Sequence, residues 1–479
     1  MLVATIAIPT FGALLVWVLR HQRWAAQLGT GFAFLSLGAV AVLPWERGDD
    51  WWHEVSFAWA PSFHLEFALG VDGISWPLVA LTAGLTALCC LHTVATPSHR
   101  PGALVAALLT VQAAVTCVFL ADNLVLFFVA FEAVLLPMWA IIYWWGSSGA
   151  RQAAAKFAVF TLIGSLIMAT GLFLVIFNQG TASLSEIIAS GGISPDLSLL
   201  AFSLLAIGFA VKAPLWPVHS WLPDAHTAAP TVGSVILAGV LLKLGTYGLI
   251  RVAFGTAPDG AAQAAPVLAT LAAVGIVIAS LVCLAQTELK RLIAYSSVGH
   301  MGFVVLALAT GTQAGLYAAL LGNIAHGLIT GLLFFLVGGI KARTHTGQLA
   351  KMGGMRLGAP IIAGTLGFAA LASLGLPGLA GFWGEAFTIY ATASQGGLWV
   401  LAAVVAAVGA LLTVAYFLRL LKIVVYGSPT QAVSTIETTT LRRSEVVIWS
   451  PLIASIVVLG LAPWLLLDMF AHSIGWGVF

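Results

Sequence analysis

The chain has 479 residues, of which 61% are hydrophobic and 8% are charged, and its formal net charge at pH 7 is +2. No soluble domain has this composition, and apolar runs recur from end to end, which indicates an all-α polytopic membrane protein embedded in a lipid bilayer. The short alternating strands of an outer-membrane barrel are absent, and the charge balance gives no reason to expect a nucleic acid partner.

The four cysteines all lie in apolar segments, at spacings that fit neither a metal site nor a redox pair. We therefore interpret them as small buried hydrophobic residues and expect no metal site in this chain. No charged residue precedes Arg20, and no small-residue cleavage site follows the first apolar run. That run is predicted to be the first membrane span, not a signal peptide.

Apolar runs of span length predict about fourteen transmembrane helices. The loops between them are short, and the longest, residues 45–71, is rich in Trp and acidic residues. Its tryptophans are predicted to form an interfacial belt. The predicted spans are residues 2–19, 27–44, 72–95, 101–120, 122–146, 154–178, 198–223, 229–251, 263–285, 291–311, 314–340, 359–392, 397–426 and 446–470.

The cations are distributed very unequally between the two predicted sides of the membrane. With the N-terminus outside, fifteen of the nineteen Lys and Arg residues lie in cytoplasmic loops, Lys290 among them. Only Arg47 and Arg251 lie on the outer side, and Lys212 and Lys243 lie inside spans. Because cytoplasmic loops carry an excess of cations, this count favours an N-out, C-out topology.

Two predicted spans have the wrong shape for a continuous helix. Residues 198–223 contain three prolines. Residues 359–392 would form a helix of roughly 50 Å, against a hydrocarbon core of about 30 Å. The centre of this run reads LGLPGLAGFWGEAF, with one proline and four glycines. Helices seven and twelve are therefore predicted to be broken, which membranes tolerate where the backbone lines an enclosed polar path.

The two broken helices lie five helices apart, an odd offset that reverses their orientation in the membrane. Helices 4–8 and 9–13 are therefore predicted to form two inverted repeats, as in transporters whose sites lie at the midplane. The predicted domains are the first three helices in residues 1–100, the repeats in residues 101–251 and 263–426, and a C-terminal helix in residues 446–479.

Six ionisable residues lie near the centres of predicted spans. Such residues are costly in a membrane, and they usually face a wet interior where they have a function. The alternative is a structural ion pair, which is less plausible for two lysines and two glutamates on separate helices. A series of protonatable groups of this kind is typical of a proton relay. The six residues are Glu132, Lys212, Lys243, His300, His326 and Glu385.

The energy of a buried ion pair matches that of moving one proton. Two unit charges about 4 Å apart at an effective dielectric of 20 attract by roughly 4 kcal/mol. Moving one charge against about 150–200 mV costs roughly 3.5–4.6 kcal/mol.

Next to the broken seventh span, His219, Asp224 and His226 lie at a predicted membrane edge. They are candidates for proton uptake from the cytoplasm, with capping and loop packing as the alternative.

Several motifs together resemble one known family. The run HSWLPDAHTAAPTVGSVILAGVLLKLGTYGLIR at residues 219–251 closely resembles the most diagnostic segment of subunit M of bacterial respiratory complex I (NADH-quinone oxidoreductase), the counterpart of mitochondrial subunit four. Other matching segments are LGVDGISWPLVALTA at 69–83, FEAVLLPMWAIIYWWG at 131–146, KFAVFTLIGS at 156–165, LKRLIAYSSVGHMGFV at 289–304, IAHGLITGLLFFLVGG at 324–339 and LPGLAGFWGEAF at 376–387.

The resemblance implies a fourteen-helix, antiporter-like subunit of the membrane arm with one proton path. Glutamate at position 385 resembles the M type, whereas subunits L and N and the large antiporter subunits usually carry lysine there. By match to the family motifs, Glu132 is the helix-five glutamate, Lys212 its partner, Lys243 the bridging lysine, His300 and His326 the central histidines, and Glu385 the terminal residue.

The function implied is transfer of protons from the cytoplasm outward, driven by redox chemistry in partner subunits. The chain has no nucleotide-binding loop, haem-ligand pattern or iron–sulfur cysteine cluster, so no cofactor is expected in it. FMN, iron–sulfur clusters and quinone are expected in the partners, which would include subunits L and N. The chain would thus be a non-redox subunit of NADH:quinone oxidoreductase in the bacterial cytoplasmic membrane.

Other functions remain possible on the sequence alone. One is the large subunit of a multisubunit sodium/proton antiporter, and another is a subunit of a related membrane-bound hydrogenase or photosynthetic complex. A solute carrier should show substrate-specific polar groups at the midplane, whereas here the midplane set is almost purely ionisable. A passive scaffold would transport normally after all four Lys and Glu sites were neutralised.

Overall fold

A computed structural model of the protein describes residues 1–43, 51–60, 65–434, 436 and 441–473. Most of these residues are helical, and eleven helices among them are long and apolar enough to cross a membrane. Three shorter apolar helices, Leu2–Val18, Ala25–Ala41 and Pro360–Ser373, add to these. The prediction of a multi-pass helical membrane protein is confirmed, whereas the count of fourteen spans, the repeats and the orientation remain predictions. The predicted outer-loop residues Trp45, Glu46, Arg47, Asp49 and Asp50 lie outside the described residues.

The first part of the chain contains ten helices and one hairpin among the described residues. They are α1 (Leu2–Val18), α2 (Ala25–Ala41), β1 (His53–Ala60), β2 (Leu65–Val71), α3 (Ser75–Ala95), α4 (Pro101–Leu120), α5 (Leu124–Ala133), α6 (Leu135–Trp145), α7 (Ala150–Gln179), α8 (Leu184–Ala189), α9 (Pro195–Lys212) and α10 (Trp221–Ala228).

The second part, as far as it is described, is entirely helical apart from its connections. It contains α11 (Thr231–Ile236), α12 (Leu242–Gly248), α13 (Pro258–Ala285), α14 (Leu289–Ala309), α15 (Gln313–Thr344), α16 (Met355–Gly358), α17 (Pro360–Ser373), α18 (Ala380–Ser394), α19 (Trp399–Val424), α20 (Gln431–Ser434), α21 (Arg443–Leu461) and α22 (Trp464–Ser473).

The chain divides into two compact units. Unit 1 consists of Met1–Pro214, Val240–Leu268 and Trp464–Phe479. Unit 2 consists of Leu215–Gly239 and Ala269–Pro463. Each unit therefore contains one part of the segment that the sequence predicts to be the broken seventh span.

Both interruptions predicted from the sequence are present. Helix α9 ends at Lys212 and α10 begins at Trp221, with two prolines between them that cannot continue a helix. Helix α17 ends at Ser373 and α18 begins at Ala380. In that gap two glycines have φ of 77° and 90°, a left-handed conformation that favours glycine.

The structure interrupts the regular helix within two further predicted spans, although Leu124–Trp145 still has the length and composition of one membrane span. The span predicted at residues 122–146 breaks at Val134, between α5 and α6. Pro137 has no N–H to donate to the carbonyl four residues earlier, at the end of α5. The span predicted at residues 446–470 breaks between α21 and α22, because Ala462 precedes a proline and leaves the helical conformation.

The eighth predicted span is helical from Thr231 to Phe254 but is not regular. Two π-helical segments, Leu237–Leu241 and Leu249–Phe254, lie on either side of α12. Wider π-helical turns of this kind occur frequently at functional sites. The regular turns of α12 between them carry Lys243.

Part of the predicted outer loop is a β-hairpin. Strands β1 and β2 pair antiparallel, and Phe57 lies opposite Phe67. The two rings stack with their centroids 4.8 Å apart, a cross-strand contact that stabilises a two-stranded sheet. The prediction of a loop is therefore wrong for residues 53–60 and 65–71, whereas the interfacial belt of tryptophans stays a prediction.

Candidate proton-transfer sites

In unit 1, close packing of two helices places Lys212. A Cβ atom at Gly164 would meet Val211 at 2.9 Å, and one at Gly208 would meet the Gly164 carbonyl at 2.6 Å. Glycines at these positions let α7 and α9 approach closely, as small residues do between membrane helices. Lys212, the last residue of α9, is thereby buried at 2% exposure.

The ammonium group of Lys212 lies over an aromatic ring. Its Nζ is 4.7 Å from the ring centroid of Phe131, a cation–π contact. Among the described residues, Nζ has no hydrogen-bond partner and forms no ion pair within 4.0 Å. The charge that acts on it is that of Glu132, beside Phe131 at the end of α5. Lys212 and Glu132 are thus electrostatic neighbours, but they are not in direct contact.

Lys243 is completely buried, at 0% exposure, in the regular turns of α12. Two residues later, a Cβ atom at Gly245 would meet the carbonyl oxygen of Phe209 at 2.7 Å and would also contact the backbone nitrogen of Ala213. The backbone of α12 therefore packs directly on the end of α9. This contact brings together the two segments that carry Lys212 and Lys243.

Arg251, which the topology count places on the outer side, is buried within the protein and not in a loop. It is buried in the second π-helical segment, where its guanidinium forms an ion pair with the buried carboxylate of Asp72. The other carboxylate oxygen of Asp72 accepts backbone N–H groups of Ile74 and Ser75, at 3.1 and 2.8 Å, at the start of α3. The ion pair thus ties the span of Lys243 to the end of the β-hairpin.

In unit 2, His300 is held by backbone carbonyls on both sides. Its Nδ1 lies 2.6 Å from the carbonyl oxygen of Ser296, and its Nε2 lies 2.9 Å from that of Ser373. Ser373 ends α17, so the helix break frees its carbonyl for this contact. Since both nitrogens face acceptors, only the doubly protonated imidazolium can donate to both at once.

Glu385 completes this arrangement. Its Oε1 lies 3.4 Å from Nε2 of His300, and the two side chains are 10% and 13% exposed. The imidazole of His326 lies 5.7 Å from that of His300, measured between centroids. All three residues line a cavity of about 30 Å³, which is large enough for at least one water molecule. Within unit 2, the structure therefore brings together the three predicted residues of the second half.

The three residues predicted for proton uptake each contact a different group. The imidazole of His219 lies 6.2 Å from the ring of Tyr295. Asp224 forms an ion pair with Arg291 at 3.1 Å, with side chains 33% and 39% exposed. His226 is buried and stacks on Phe334 at 4.6 Å. Side chains two residues apart on a helix point in different directions, which explains why Asp224 and His226 separate.

Two buried polar features were not predicted from the sequence. Lys290, counted as a cytoplasmic loop cation, is 7% exposed, so that assignment is wrong. The second is the carbonyl of Ser373. The glycines and the proline near residue 377 predict a helix break, but they do not indicate which carbonyl the break leaves free to contact His300. In the ranges that the structure describes, no three His, Cys, Asp or Glu residues are grouped as metal ligands would be.

The comparisons with known proteins agree with one another. A family model described as NADH:quinone oxidoreductase/Mrp antiporter, transmembrane, matches residues 121–413. The chain is 40% identical over 473 residues to NADH-quinone oxidoreductase subunit M of Rhodobacter capsulatus, covering 95% of this chain and 90% of that protein. It is 39% identical over 439 residues to NAD(P)H-quinone oxidoreductase chain 4 1 of Synechococcus sp. (strain JA-3-3Ab), covering 89% and 82%. Among solved structures, a chain of respiratory complex I from Thermus thermophilus with bound NADH matches with a TM-score of 0.89 at 27% identity, over 99% of each chain.

Proposed function

Because the chain belongs to the NADH:quinone oxidoreductase/Mrp antiporter membrane family, we propose that it translocates protons as an antiporter-like subunit of the membrane arm of an NADH-quinone oxidoreductase. It is a subunit of that enzyme complex and works with other membrane-arm subunits, as relatives named subunit M over most of the chain support. Redox chemistry belongs to the partners in this proposal, with FMN, iron–sulfur clusters and quinone bound there.

The observation that carries the proposal is the buried contact between His300 and Glu385. A carboxylate and an imidazole 3.4 Å apart, beside a cavity that admits water, can pass one proton between them. The proton leaves Nε2 of the imidazolium and binds Oε1 of the carboxylate, which leaves both groups neutral. Because such groups are costly in a membrane, a role in proton transfer explains why they are present.

In unit 1 we propose that Lys212 is the group that binds and releases a proton. Its Nζ has no hydrogen-bond partner among the described residues, and Glu132 supplies the opposite charge that acts on it inside this buried site. At separations above 4 Å and an effective dielectric of 20, this attraction is below roughly 4 kcal/mol. A small movement of α5, which ends just after Glu132 at the break, would therefore change the proton affinity of Lys212.

The finer details of the proposal come from the sequence. Protons would pass in the order Lys212, Lys243, His300, His326 and Glu385, from the cytoplasm outward, in an N-out, C-out chain of a bacterial cytoplasmic membrane. Subunits L and N would be among the partners. The sodium/proton antiporter is the alternative function, and glutamate at position 385 favours the M type over it. A strict dependence of transport on sodium would reverse that preference.

Proton translocation by the assembled complex tests the proposal. In sealed vesicles, the complex carrying Lys212→Gln should assemble and should lose at least about tenfold in the rate of NADH-driven acidification, the scale expected for losing a proton-transfer group. Lys351→Gln is the matched control, because Lys351 is exposed at the end of a short 3-10 turn. Wild-type acidification by an assembled Lys212→Gln complex would overturn the proposal.

A further inference from the structure

The indole of Trp383 joins two helices of unit 2. Trp383 lies in the first turn of α18, two residues before Glu385. Its Nε1–H donates to the carbonyl oxygen of Gly460 at 2.8 Å. Gly460 is the last residue but one of α21, and the last four carbonyls of a helix have no intrahelical donor. The indole therefore satisfies a carbonyl at the end of α21 and ties that helix to the one that carries Glu385.

The end of α21 also packs on the helix break itself. A Cβ atom at Gly460 would meet the carbonyl oxygen of Gly378 and Cα of Leu379. Both of these residues lie between α17 and α18. Backbone therefore lies against backbone there, without a flexible side chain that could move aside. The break that leaves the Ser373 carbonyl free for His300 is thus covered by the end of α21.

On another face of the same turn, α18 contacts α15. A Cβ atom at Gly384 would lie 2.7 Å from Cα of Gly322, which is four residues before His326. Gly384 immediately precedes Glu385 and immediately follows Trp383. Neighbouring residues are about 100° apart around a helix, so the two contacts hold different faces of one turn. Glu385 is therefore positioned from both sides, by α15 and by α21.

The beginning of α21 is attached to α15 as well. Arg343, in the last turn of α15, donates to the two carboxylate oxygens of Glu445 at 2.7 and 2.8 Å. Glu445 lies in the first turn of α21. A bidentate pair of this kind fixes orientation as well as distance. Helix α21 is thus joined at its beginning to the helix of His326 and at its end to the helix of Glu385.

The distance that these contacts control is that between Glu385 and His300. Oε1 and Nε2 lie 3.4 Å apart, close to the limit of about 3.2 Å for direct transfer of a proton. A displacement of about 1 Å at a reacting group, caused by a change far from the chemistry, can lower a rate by roughly 100-fold. Trp383 has no group that exchanges protons near neutral pH, so its effect on the site must come from position.

We infer that Trp383 is a positioning residue, which together with Gly460 holds Glu385 at the distance from His300 at which a proton passes. This inference rests on the proposed function and adds to it a role for the C-terminal part of the chain. Helix α21 contributes no protonatable side chain to the cavity of His300, His326 and Glu385. It acts by fixing the first turn of α18.

The experiment removes the hydrogen bond and keeps the ring. Trp383→Phe retains an aromatic ring for the contacts with Phe382 and Phe387, whose centroids lie 5.1 and 5.4 Å from that of the indole. In assembled complex in sealed vesicles, NADH-driven acidification should fall by about twofold to tenfold, the range that corresponds to one net hydrogen bond. The ratio of the rates in H₂O and D₂O should rise above that of the wild type, because transfer of the proton itself becomes slower.

Gly460→Ala acts on the other side of the same contact. Its methyl group would push α21 away from the break, so the rate should fall and the ratio of rates in H₂O and D₂O should rise, as in Trp383→Phe. The matched controls are Gly367→Ala, where nothing lies within 4 Å of the Cβ position, and Trp464→Phe, whose indole is 56% exposed. Both controls should keep the wild-type rate and the wild-type ratio.

A wild-type rate in the assembled Trp383→Phe complex would overturn the inference. A lower rate with an unchanged ratio of rates in H₂O and D₂O would also overturn it, since it would show only that fewer complexes are active. Should Gly460→Ala fail to assemble, Trp383→Phe decides. Glu385→Gln is measured alongside: a wild-type rate there would contradict the proposed function itself, whereas its loss of rate beside an unaffected Trp383→Phe would contradict the positioning role alone.

Discussion

Nε2 of His300 lies 3.4 Å from Oε1 of Glu385, and the same nitrogen lies 2.9 Å from the carbonyl oxygen of Ser373. The break between α17 and α18 makes both contacts possible. It ends α17 at the carbonyl that His300 meets, and it begins the helix that carries Glu385. An unbroken helix would bond that carbonyl internally, so the break itself builds the site.

Glu385→Gln tests whether the carboxylate is needed as a proton acceptor. Glutamine keeps an oxygen near Nε2 of His300 and nearly the same volume, so the complex should assemble. Because the amide cannot take up the proton, acidification of vesicles should fall by at least about tenfold. Glu385→Asp is the control, since it retains the charge and should keep part of the rate. Equal rates for Glu385→Gln and the wild type would contradict the assignment.

The buried ion pair between Arg251 and Asp72 should be important for stability. Asp72→Asn leaves the guanidinium buried without its counter-charge, which typically costs about 3–5 kcal/mol. Asp224→Asn removes a carboxylate from an ion pair whose side chains are 33% and 39% exposed, and such pairs contribute only about 0–1 kcal/mol. The unfolding temperature of the detergent-solubilised protein should therefore fall strongly in Asp72→Asn and only slightly in Asp224→Asn. Similar shifts for both variants would show that burial does not matter here.

Gly245 should tolerate no side chain, because α12 packs there on the backbone of α9. A Cβ atom would meet the Phe209 carbonyl oxygen at 2.7 Å, and backbone cannot move aside as a flexible side chain can. Gly245→Ala should lower the unfolding temperature and separate the segments of Lys212 and Lys243, reducing transport. Gly84→Ala is the matched control in the same unit, since nothing lies within 4 Å of its Cβ position. That variant should be neutral or slightly stabilising, by up to about 1 kcal/mol.

Asp122 lies in the connection between α4 and α5, outside the span-length helices of the structure, and should make stability depend on pH. Burial is the main cause that raises the pKa of its carboxyl from an ordinary 3.8 to about 6, against two opposing hydrogen bonds from Ser185. Between these values the folded protein binds more protons than the unfolded chain, so stability should fall as the pH rises, by about 3 kcal/mol in total. Below about pH 4 this loss is absent, and above about pH 6 it is complete.

Unfolding temperatures of the detergent-solubilised protein from pH 4 to 8 test this dependence. In Asp122→Asn the fall attributable to this group should disappear. In Ser185→Ala the midpoint should move to higher pH, because the lost hydrogen bond stabilises the charged carboxylate. An Asp122→Asn protein with the same pH profile as the wild type would show that Asp122 does not titrate in this range.

The sequence allowed prediction of those features that are local. Prolines and glycines indicated both broken helices, and the rarity of charge in apolar runs indicated the six ionisable residues. The hairpin was missed, because its alternation of apolar and polar residues is short and lies beside interfacial tryptophans. The break at Val134 was missed because proline in a membrane helix is often tolerated.

Burial of charged residues near span ends could not be predicted. Lys290 and Arg251 both lie at the ends of predicted spans, and their burial depends on partners far away in the sequence. Ala229 lies 61 residues from Lys290 along the chain. Tertiary packing decides whether a cation at such a position faces water or protein. The hydropathy pattern of one segment carries no information about that packing.

Lys243→Met in the assembled complex tests the central claim most directly. Lys243 is completely buried, and methionine has a similar volume without the cost of burying a charge. The unfolding temperature and the NADH-driven acidification of vesicles are measured on the same variant. Its unfolding temperature should be at least that of the wild type, and it should no longer translocate protons through this subunit. A variant that is equally stable and acidifies the vesicles at the wild-type rate would contradict the claim that the buried charges carry protons.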